Sequence, residues 1–313
     1  MKEQESSPAP KNATEILLIG GPTASGKSRL AGSLSGQIPC EIINADSRQI
    51  YLGLSIGTGR PQQEALDSVP HHLYGFLNPN ADFTAADFES LAAKKIEEIS
   101  GRTRLPVLVG GTGFYMKAVL RGMWPVSPRN DVLRERLRRI HQKHGHLHRM
   151  LQRLDPESAV AVPPADTYRI IRALEIYFET GTPRSRLPRN QQERYNALKF
   201  YLDPGRAEMD SLIRQRTNQM FERGWVEEVE SLLRNYPDFE ELSACQSLGY
   251  REVISYLKGK ISLDDCKQQI VQKTRQYAKR QLTWFRNQDN FVRLTSCEDF
   301  SKMTDSVLQW YRK

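Results

Sequence analysis

The sequence EILLIGGPTASGKS, from Glu15 to Ser28, joins a short apolar run to a glycine-rich turn. The run Glu15–Gly20 predicts a buried strand, and the residues after it fit the pattern G-x-x-x-x-G-K-[ST] of a phosphate-binding loop that opens a helix. The glycines let backbone N–H groups close around phosphate oxygens, Lys27 adds positive charge and Ser28 can ligate Mg²⁺. The pattern predicts that a diphosphate or polyphosphate, not specifically ATP, is bound by Gly21, Pro22, Thr23, Ala24, Ser25, Gly26, Lys27 and Ser28.

Two further apolar runs extend this pattern along the chain. Cys40–Ala45 and Leu105–Val109 predict strands, and Phe83–Ile99 between them predicts a helix with Thr84 as its N-cap and Asp87 three residues on. Strands that alternate with helices are typical of an α/β fold, here a doubly wound parallel sheet like that of P-loop NTPases. The carboxyl ends of such strands form the ligand-binding edge of the sheet.

The chain changes character after Gly122, where it becomes densely charged with a helical period. Asn130–His144 and Thr167–Thr180 predict helices, the second ended by Gly181. Residues 123–198 are therefore predicted to form a helical insertion, and the catalytic core is assigned to 15–122 plus 199–313. The further elements predicted for this core are the strand Lys199–Leu202 and the helices Arg206–Arg223, Val226–Asn235, Leu248–Leu257 and Leu263–Arg286.

The overall composition favours a soluble, cytoplasmic protein. The chain has 313 residues, and no apolar run reaches the length that spans a bilayer. Its four scattered cysteines suit a reducing compartment, and the polar segment 1–14 predicts a disordered tail and not a secretory signal. The formal net charge of +8 permits a polyanionic partner without requiring one.

Candidate catalytic side chains follow the second and third predicted strands. Asp46 lies in NADSRQIY, from Asn44 to Tyr51. A carboxylate at this point beside a phosphate loop can bind Mg²⁺, act as a general base or cap the next helix, and the residues alone leave these roles open. Thr112 lies in the glycine-rich turn Gly110–Gly113, where its hydroxyl can either bind a ligand or simply belong to the turn.

Nine motifs in a fixed order resemble the tRNA dimethylallyltransferase family over nearly the whole chain after residue 14. They are GPTASGKS (Gly21–Ser28), ADSRQIY (Ala45–Tyr51), IGTGRP (Ile56–Pro61), PHHL (Pro70–Leu73), FTAADF (Phe83–Phe88), VGGTGFY (Val109–Tyr115), YRIIRALEIY (Tyr168–Tyr177), SLGYRE (Ser247–Glu252) and TRQYAKRQLTWFR (Thr274–Arg286). The sequence departs from the family pattern at Gly59-Arg60, at Tyr74–Phe76 and at Pro164–Asp166.

The resemblance implies a reaction and assigns residues to it. The implied donor is dimethylallyl diphosphate, and the acceptor is N6 of the adenosine on the 3′ side of the anticodon in tRNA. By similarity, Asp46 is the base, Thr23 belongs to the donor loop and Arg216 contacts the diphosphate, with the nearby Arg214 as the alternative. A carboxylate helps a weakly nucleophilic amine, and cations including Mg²⁺ stabilise the leaving diphosphate.

The resemblance also implies how the RNA binds. The target base must leave its stack to reach Asp46, so we expect one tunnel that RNA and donor enter from opposite mouths, in a monomeric protein whose insertion covers the anticodon stem-loop. On the predicted helix Leu263–Arg286, five cations are expected to lack nearby acids, namely Lys273, Arg275, Lys279, Arg280 and Arg286. Its aromatic residues Tyr277, Trp284 and Phe285 are expected in the core. Candidate tRNA-binding residues are Asp46, Ser47, Arg48, Gln49, Thr112, Tyr168, Arg169, Arg172, Gln246, Gly249, Tyr250, Arg251, Arg275, Lys279 and Arg280.

Three other classes of protein are weighed against this interpretation. A P-loop kinase or ATPase would need a Walker-B-like acid after a strand and a set of lid arginines, and the sequence offers no convincing match. A dimethylallyltransferase that acts on free adenylate would share the loop and the base, but the basic C-terminal helix and the insertion favour RNA. A non-catalytic RNA-binding module is disfavoured by the phosphate loop beside Asp46.

Overall fold

The computed structural model describes residues 13–62, 64, 68–123, 129–188, 192–288, 290–295 and 297–311. The predicted tail 1–14 lies outside this part of the chain except for its last two residues. The chain divides into two compact units, 1–122 with 192–313 and 123–191. The predicted insertion ended at residue 198, and the difference arises because the chain already enters a strand of the first unit at Asn196.

One parallel sheet of six strands organises the first unit, in the order β3-β2-β4-β1-β5-β6. This arrangement confirms the predicted fold class. The strands are β1 (Glu15–Gly20), β2 (Cys40–Asn44), β3 (His71–His72), β4 (Leu105–Val109), β5 (Asn196–Leu202) and β6 (Val292–Leu294). Strand β5 begins earlier than predicted because Glu15 pairs with Asn196, so all of β1 has a partner.

Helices cover both faces of the sheet and build the second unit. In the first unit they are α1 (Lys27–Ser35), α2 (Ala85–Gly101), α3 (Gly113–Arg121), α8 (Arg206–Glu222), α9 (Trp225–Asn235), α10 (Tyr250–Leu257), α11 (Leu263–Arg286) and α12 (Cys297–Tyr311). In the second unit they are α4 (Asp131–His144), α5 (Leu147–Leu154), α6 (Pro156–Ala161) and α7 (Thr167–Thr180). Short 3₁₀ turns lie at Arg184–Arg186, Phe239–Glu241 and Ser243–Gln246.

Alternation along β1 shows how the sheet is buried on both faces. Leu17 packs with residues of α1 and α12, while Leu18 packs with residues of α2 and α3. The predicted cap of α2 is present as a capping box, in which the hydroxyl of Thr84 and the carboxylate of Asp87 each accept a backbone N–H of the other. No helix within the described ranges is long and apolar enough to cross a membrane.

A buried ion cluster joins α4 and α7 in the second unit. Glu175 on α7 is fully buried, and its carboxylate accepts two hydrogen bonds from Arg134 at 2.8 Å and one from Arg172 at 2.5 Å. The backbone N–H of Asn130 donates to the same carboxylate at 2.8 Å. Burial alone would raise the pKa of Glu175, but these hydrogen bonds and charges hold it at about 2.

Candidate active site

The phosphate loop turns sharply between β1 and α1 because three of its residues have a positive φ. The values are 136° at Gly21, 65° at Ala24 and 88° at Gly26. A Cβ atom on Gly21 would lie 2.9 Å from the backbone oxygen of Leu202, so the loop closes against β5 at a distance that only glycine allows. Residues 23–29 line a cavity of about 680 Å³. The predicted loop therefore faces a space that can hold a phosphorylated ligand.

Lys27 supplies a half-buried ammonium group at the start of α1. Its Nζ donates a hydrogen bond to the carbonyl oxygen of Pro22 at 2.5 Å. Loss of water around the ammonium group lowers the pKa of Lys27 to about 7; the charge of Asp46 opposes this shift and that of Arg216 adds to it. Because a lysine in this state gains from a nearby anion, Lys27 is suited to bind phosphate.

Arg216 on α8 contacts the phosphate loop at Thr23. Its Nη1 donates to Thr23 Oγ1 at 3.2 Å, and its Nη2 donates to the carbonyl oxygens of Thr58 and Gly59 at 3.3 and 3.4 Å. The guanidinium of Arg216 occupies the space beside the Cα atom of Gly59, whose φ of 63° favours glycine. Enclosure lowers the pKa of Arg216, with Asp46 acting against the shift. Arg214, the alternative, is exposed.

Asp46 follows β2 and is held by hydrogen bonds to residues two positions before and after it. Its N–H donates to Asn44 Oδ1 at 2.9 Å, and its Oδ1 accepts the backbone N–H of Arg48 at 2.9 Å. In the described parts of the chain Oδ2 accepts no hydrogen bond. Residues 47–50 form a bend and a turn and not a helix, so the helix cap, one of the three roles left open by the sequence, does not apply. The roles that fit this geometry are general base and metal ligand.

Two cavities meet at this carboxylate. The wider one contains the phosphate loop, and a narrower one of about 70 Å³ has mainly apolar walls that include Ile213, Met220 and Ile270. Both cavities are lined by Thr23, Ala24, Asp46 and Arg216. A cavity thus joins Lys27 to the Asp46 carboxylate, which the expected tunnel requires.

Gln281 on α11 braces the phosphate loop, a role that the sequence did not indicate. Its Oε1 accepts the backbone N–H of Thr23 at 2.9 Å, and its Nε2 donates to the carbonyl oxygen of Gly111 at 2.9 Å. The side chain is 5% exposed, so this bridge is shielded from water. Gln281 thereby links the loop after β1 to the loop after β4. Its position in the motif TRQYAKRQLTWFR was the only available signal.

Glu228 on α9 fixes the loop that faces Arg216. Its carboxylate accepts the backbone N–H groups of Ser55, Ile56 and Gly57 at 2.7 to 3.0 Å, and the hydroxyl of Tyr250 at 2.7 Å. The carbonyl oxygens that Arg216 contacts belong to the next two residues of this loop. No local sequence pattern marks this role, because the partners are about 170 residues apart.

The candidate tRNA-binding residues near Asp46 lie at the carboxyl edge of the sheet. Thr112 Oγ1 accepts the backbone N–H of Ser47 at 3.0 Å, and Arg48 donates to the carbonyl oxygen of Ser243 at 3.0 Å. Gln49 donates to the carbonyl oxygens of Thr58 and Gly59, each at 3.1 Å. The structure brings these four predicted residues together around Asp46.

The motif SLGYRE contributes partly to the core. Tyr250 is fully buried against Trp225 and donates its hydroxyl to Glu228, so its side chain stabilises the core and offers no surface to RNA. Gly249 lies beneath Trp225, since a Cβ atom there would approach the indole to 2.2 Å. Among the candidate tRNA-binding residues in and beside this motif, Gln246 and Arg251 are exposed.

The expectation that five cations of α11 lack nearby acids is wrong for three of them. Three of them form ion pairs with acids that are distant in sequence: Lys273 with Glu252, Arg275 with Asp210, and Arg286 with Asp203. Lys279 and Arg280 are exposed and form no ion pair within the described residues. Tyr277, which was expected in the core, lines the narrower cavity, while Phe285 is buried as expected.

The candidate residues of the second unit differ in exposure. Tyr168 is 71% exposed, and Arg169 is exposed beside Asp166, with 3.4 Å between Arg169 Nε and Asp166 Oδ2. Arg172 instead donates to buried Glu175. Tyr168 and Arg169 are therefore the members of this group whose side chains are most accessible to RNA.

The parallel sheet, the phosphate loop and the strand-end carboxylate define an α/β protein of the phosphate-loop class. The model of the family described as IPP transferase matches residues 49–288. A tRNA dimethylallyltransferase of Geobacter sulfurreducens is 42% identical, over 87% of this chain and 89% of the relative. Another of Geobacter metallireducens is 40% identical, over 99% and 100%. The chain belongs to the IPP transferase family.

Solved structures agree with this family assignment. The tRNA isopentenylpyrophosphate transferase of Bacillus halodurans superposes with a TM-score of 0.71 at 34% identity, covering 95% of this chain and 97% of the other. A eukaryotic dimethylallyltransferase described as acting on tRNA superposes with a TM-score of 0.77 at 25% identity, covering 94% and 78%. The fold of this chain is therefore shared with enzymes of both bacterial and eukaryotic origin.

Proposed function

We propose that this protein transfers a dimethylallyl group from dimethylallyl diphosphate to N6 of the adenosine on the 3′ side of the anticodon in tRNA, releasing diphosphate. The observation that carries the proposal is the position of Asp46, which lines both the cavity of the phosphate loop and the narrower apolar cavity. Relatives at about 40% identity are tRNA dimethylallyltransferases, which supports tRNA as the acceptor.

The donor diphosphate binds in the wider cavity against the phosphate loop. Lys27 and Arg216 supply positive charge there, and both have lowered pKa values because they are enclosed. A bound diphosphate favours the charged form of both side chains, since an opposite charge offsets the cost of enclosure. The same charges stabilise the diphosphate as its bond to the prenyl carbon breaks. The apolar walls of the narrower cavity suit the uncharged groups that meet at this carbon.

Asp46 accepts the proton that the acceptor amine loses. N6 of the adenosine attacks C1 of the dimethylallyl group, the C1–O bond breaks, and its electron pair leaves with the diphosphate. The proton from N6 passes to the Asp46 carboxylate, whose Oδ2 has no competing hydrogen bond from the described residues. General-base assistance of this kind contributes about 10² to 10⁴ in rate.

The donor atoms of the wider cavity fit Mg²⁺. Ser28, Asp46 and Glu208 line this cavity and offer oxygen ligands, which Mg²⁺ prefers. The described residues contain no cluster of three or more His, Cys, Asp or Glu side chains able to hold a metal. Mg²⁺ bound here would therefore take ligands from Ser28, no more than two carboxylates, water and the substrate phosphates. It would neutralise charge on the leaving diphosphate.

Transfer of label from dimethylallyl diphosphate tests the proposal directly. The full chain is incubated with Mg²⁺, radiolabelled donor and either unmodified tRNA or AMP. We expect label in tRNA alone, and sequencing of the product should place it on the adenosine beside the anticodon. Label in AMP would instead identify a free-nucleotide prenyltransferase. In a parallel incubation with ATP, consumption of ATP without use of the donor would identify a kinase or ATPase.

A further inference from the structure

Tyr74 is fixed in the wall of the wider cavity by a turn that follows β3. The residues on either side, Leu73 and Gly75, both have a positive φ, 62° and 52°. The N–H of Gly75 donates to the carbonyl oxygen of Gln49 at 2.9 Å, and a Cβ atom on Gly75 would lie 1.7 Å from a nitrogen of Arg60. The backbone around Tyr74 is therefore closely determined. This segment is also one of the places where the sequence departs from its family's pattern.

The ring of Tyr74 is held, but its hydroxyl group is not. The ring packs edge-on to His71 with 5.5 Å between centroids, and it contacts the apolar cluster beneath α1. Nowhere in the described chain does the hydroxyl group have a hydrogen-bond partner. Lys27, Asp46 and Arg216 line the same cavity. A rigid phenol with a free hydroxyl group thus stands among the charged groups of the site.

Burial and the charge of Asp46 both raise the pKa of Tyr74. The phenol therefore remains an O–H donor at neutral pH. A neutral donor can stabilise an oxyanion without adding a third positive charge to the two cations already present. Its ligand is expected to be anionic, because the phosphate loop and both cations favour anions in this cavity.

We propose that the Tyr74 hydroxyl group donates a hydrogen bond to an oxygen of the donor diphosphate in the wider cavity. The inference rests on the proposed function, which supplies the diphosphate. It adds a fourth contributor to diphosphate binding, beside the phosphate loop, Lys27 and Arg216. The alternative acceptor within the cavity is the Asp46 carboxylate, and the two acceptors predict different results.

Tyr74→Phe removes the hydroxyl group and keeps the ring that packs on His71. The binding of inorganic pyrophosphate with Mg²⁺ to the full chain is measured by calorimetry, because pyrophosphate lacks the prenyl group. A hydrogen bond to a charged acceptor corresponds to about a tenfold change in affinity. We expect Tyr74→Phe to weaken pyrophosphate binding and to raise KM for the donor by about this factor, with unchanged tRNA affinity. Tyr256→Phe, a half-buried phenol that lines neither cavity, should leave both constants unchanged.

Two results would overturn the inference and are distinguishable from each other. Equal pyrophosphate affinity in Tyr74→Phe and the unsubstituted protein refutes the contact, and a changed pH dependence of kcat in the same variant would assign the hydroxyl group to Asp46. These outcomes leave the proposed reaction intact. Absence of pyrophosphate binding to the unsubstituted protein would instead remove the basis of the proposed function itself.

Discussion

Charged groups that are fully or partly buried occur in two regions of this molecule, and their charges are balanced in one region and unbalanced in the other. In the helical unit 123–191, Glu175 is matched by Arg134 and Arg172, and the pKa of Glu175 falls to about 2. At the phosphate loop, Lys27 and Arg216 form no ion pair among the described residues, and enclosure lowers both pKa values. The first arrangement favours the charged form, and the second disfavours it.

The difference separates a structural cluster from a binding site. Removing a charge from water costs free energy unless a partner or hydrogen bonds offset the loss. The cluster around Glu175 contains its partners, so it stabilises the fold without a ligand. Lys27 and Arg216 share only the influence of Asp46, so an anionic ligand completes their environment. Shifted pKa values of this second kind are typical of functional sites.

The largest effect is expected for Asp46→Asn, which removes the carboxylate that lies between the two cavities. We expect kcat to fall about 10³-fold, because the proton of N6 loses its acceptor. Binding of tRNA and of pyrophosphate should be retained, since Lys27 and Arg216 remain. Single-turnover kinetics and equilibrium binding separate the two effects, and Asp305→Asn on the exposed face of α12 is the control. Loss of binding with unchanged single-turnover chemistry would contradict the assignment of Asp46 as base.

Glu175→Gln tests the ion cluster around Glu175 and should leave the active site at the phosphate loop unchanged. Two arginines would then lack the charge of a buried partner, and we expect the helices of 123–191 to lose about 3 kcal/mol of stability. Hydrogen exchange of peptides from α4 and α7 measures this loss. Glu179→Gln, in which the substituted group is exposed and accepts a hydrogen bond from Asn130 Nδ2, should cost far less. Weaker pyrophosphate binding in Glu175→Gln would show that the two regions are not independent.

The pH dependence of this cluster follows from the same pKa. Glu175 titrates at about 2 in the folded protein and near its ordinary value of 4.5 when unfolded. Its contribution of about 3 kcal/mol is therefore fully present above pH 5 and is lost as the pH falls from 4.5 towards 2. The stability difference between the unsubstituted protein and Glu175→Gln should accordingly shrink between pH 6 and pH 3. A difference that stays constant over this range would contradict the depressed pKa.

The sequence predicted the features that local patterns determine. The phosphate loop after β1, the capping box of α2 and the end of α7 at Gly181 each depend on a few neighbouring residues. Strands β3 and β6, with two and three residues, are too short for alternation to identify, and their partners are far away in sequence.

The contacts of the active site that the sequence did not predict join residues that are distant along the chain. Asp46 follows a strand directly, so its place at the sheet edge was predictable from local order. Gln281 bridges two loops that lie about 170 and 258 residues earlier, and nothing local indicates either contact. The acids that pair with Lys273 and Arg275 are likewise distant in sequence. Charge counted along α11 therefore overestimated the positive surface available to RNA.

The smallest effect is expected from a comparison of ion-paired and unpaired cations within α11. Lys279→Ala with Arg280→Ala removes two exposed charges that have no acidic partner among the described residues. We expect tRNA binding to weaken a few-fold. We also expect the slope of log Kd against log salt concentration to decrease by about 1.5 if both cations contact phosphates of the anticodon loop.

The matched variant, Lys273→Ala with Arg275→Ala, removes two charges that Glu252 and Asp210 already neutralise. It should change the slope far less, because paired cations release few counterions from RNA. Fluorescence-anisotropy titrations at four salt concentrations give both slopes, and equal slopes for the two double variants would show that ion pairing does not decide which cations bind RNA.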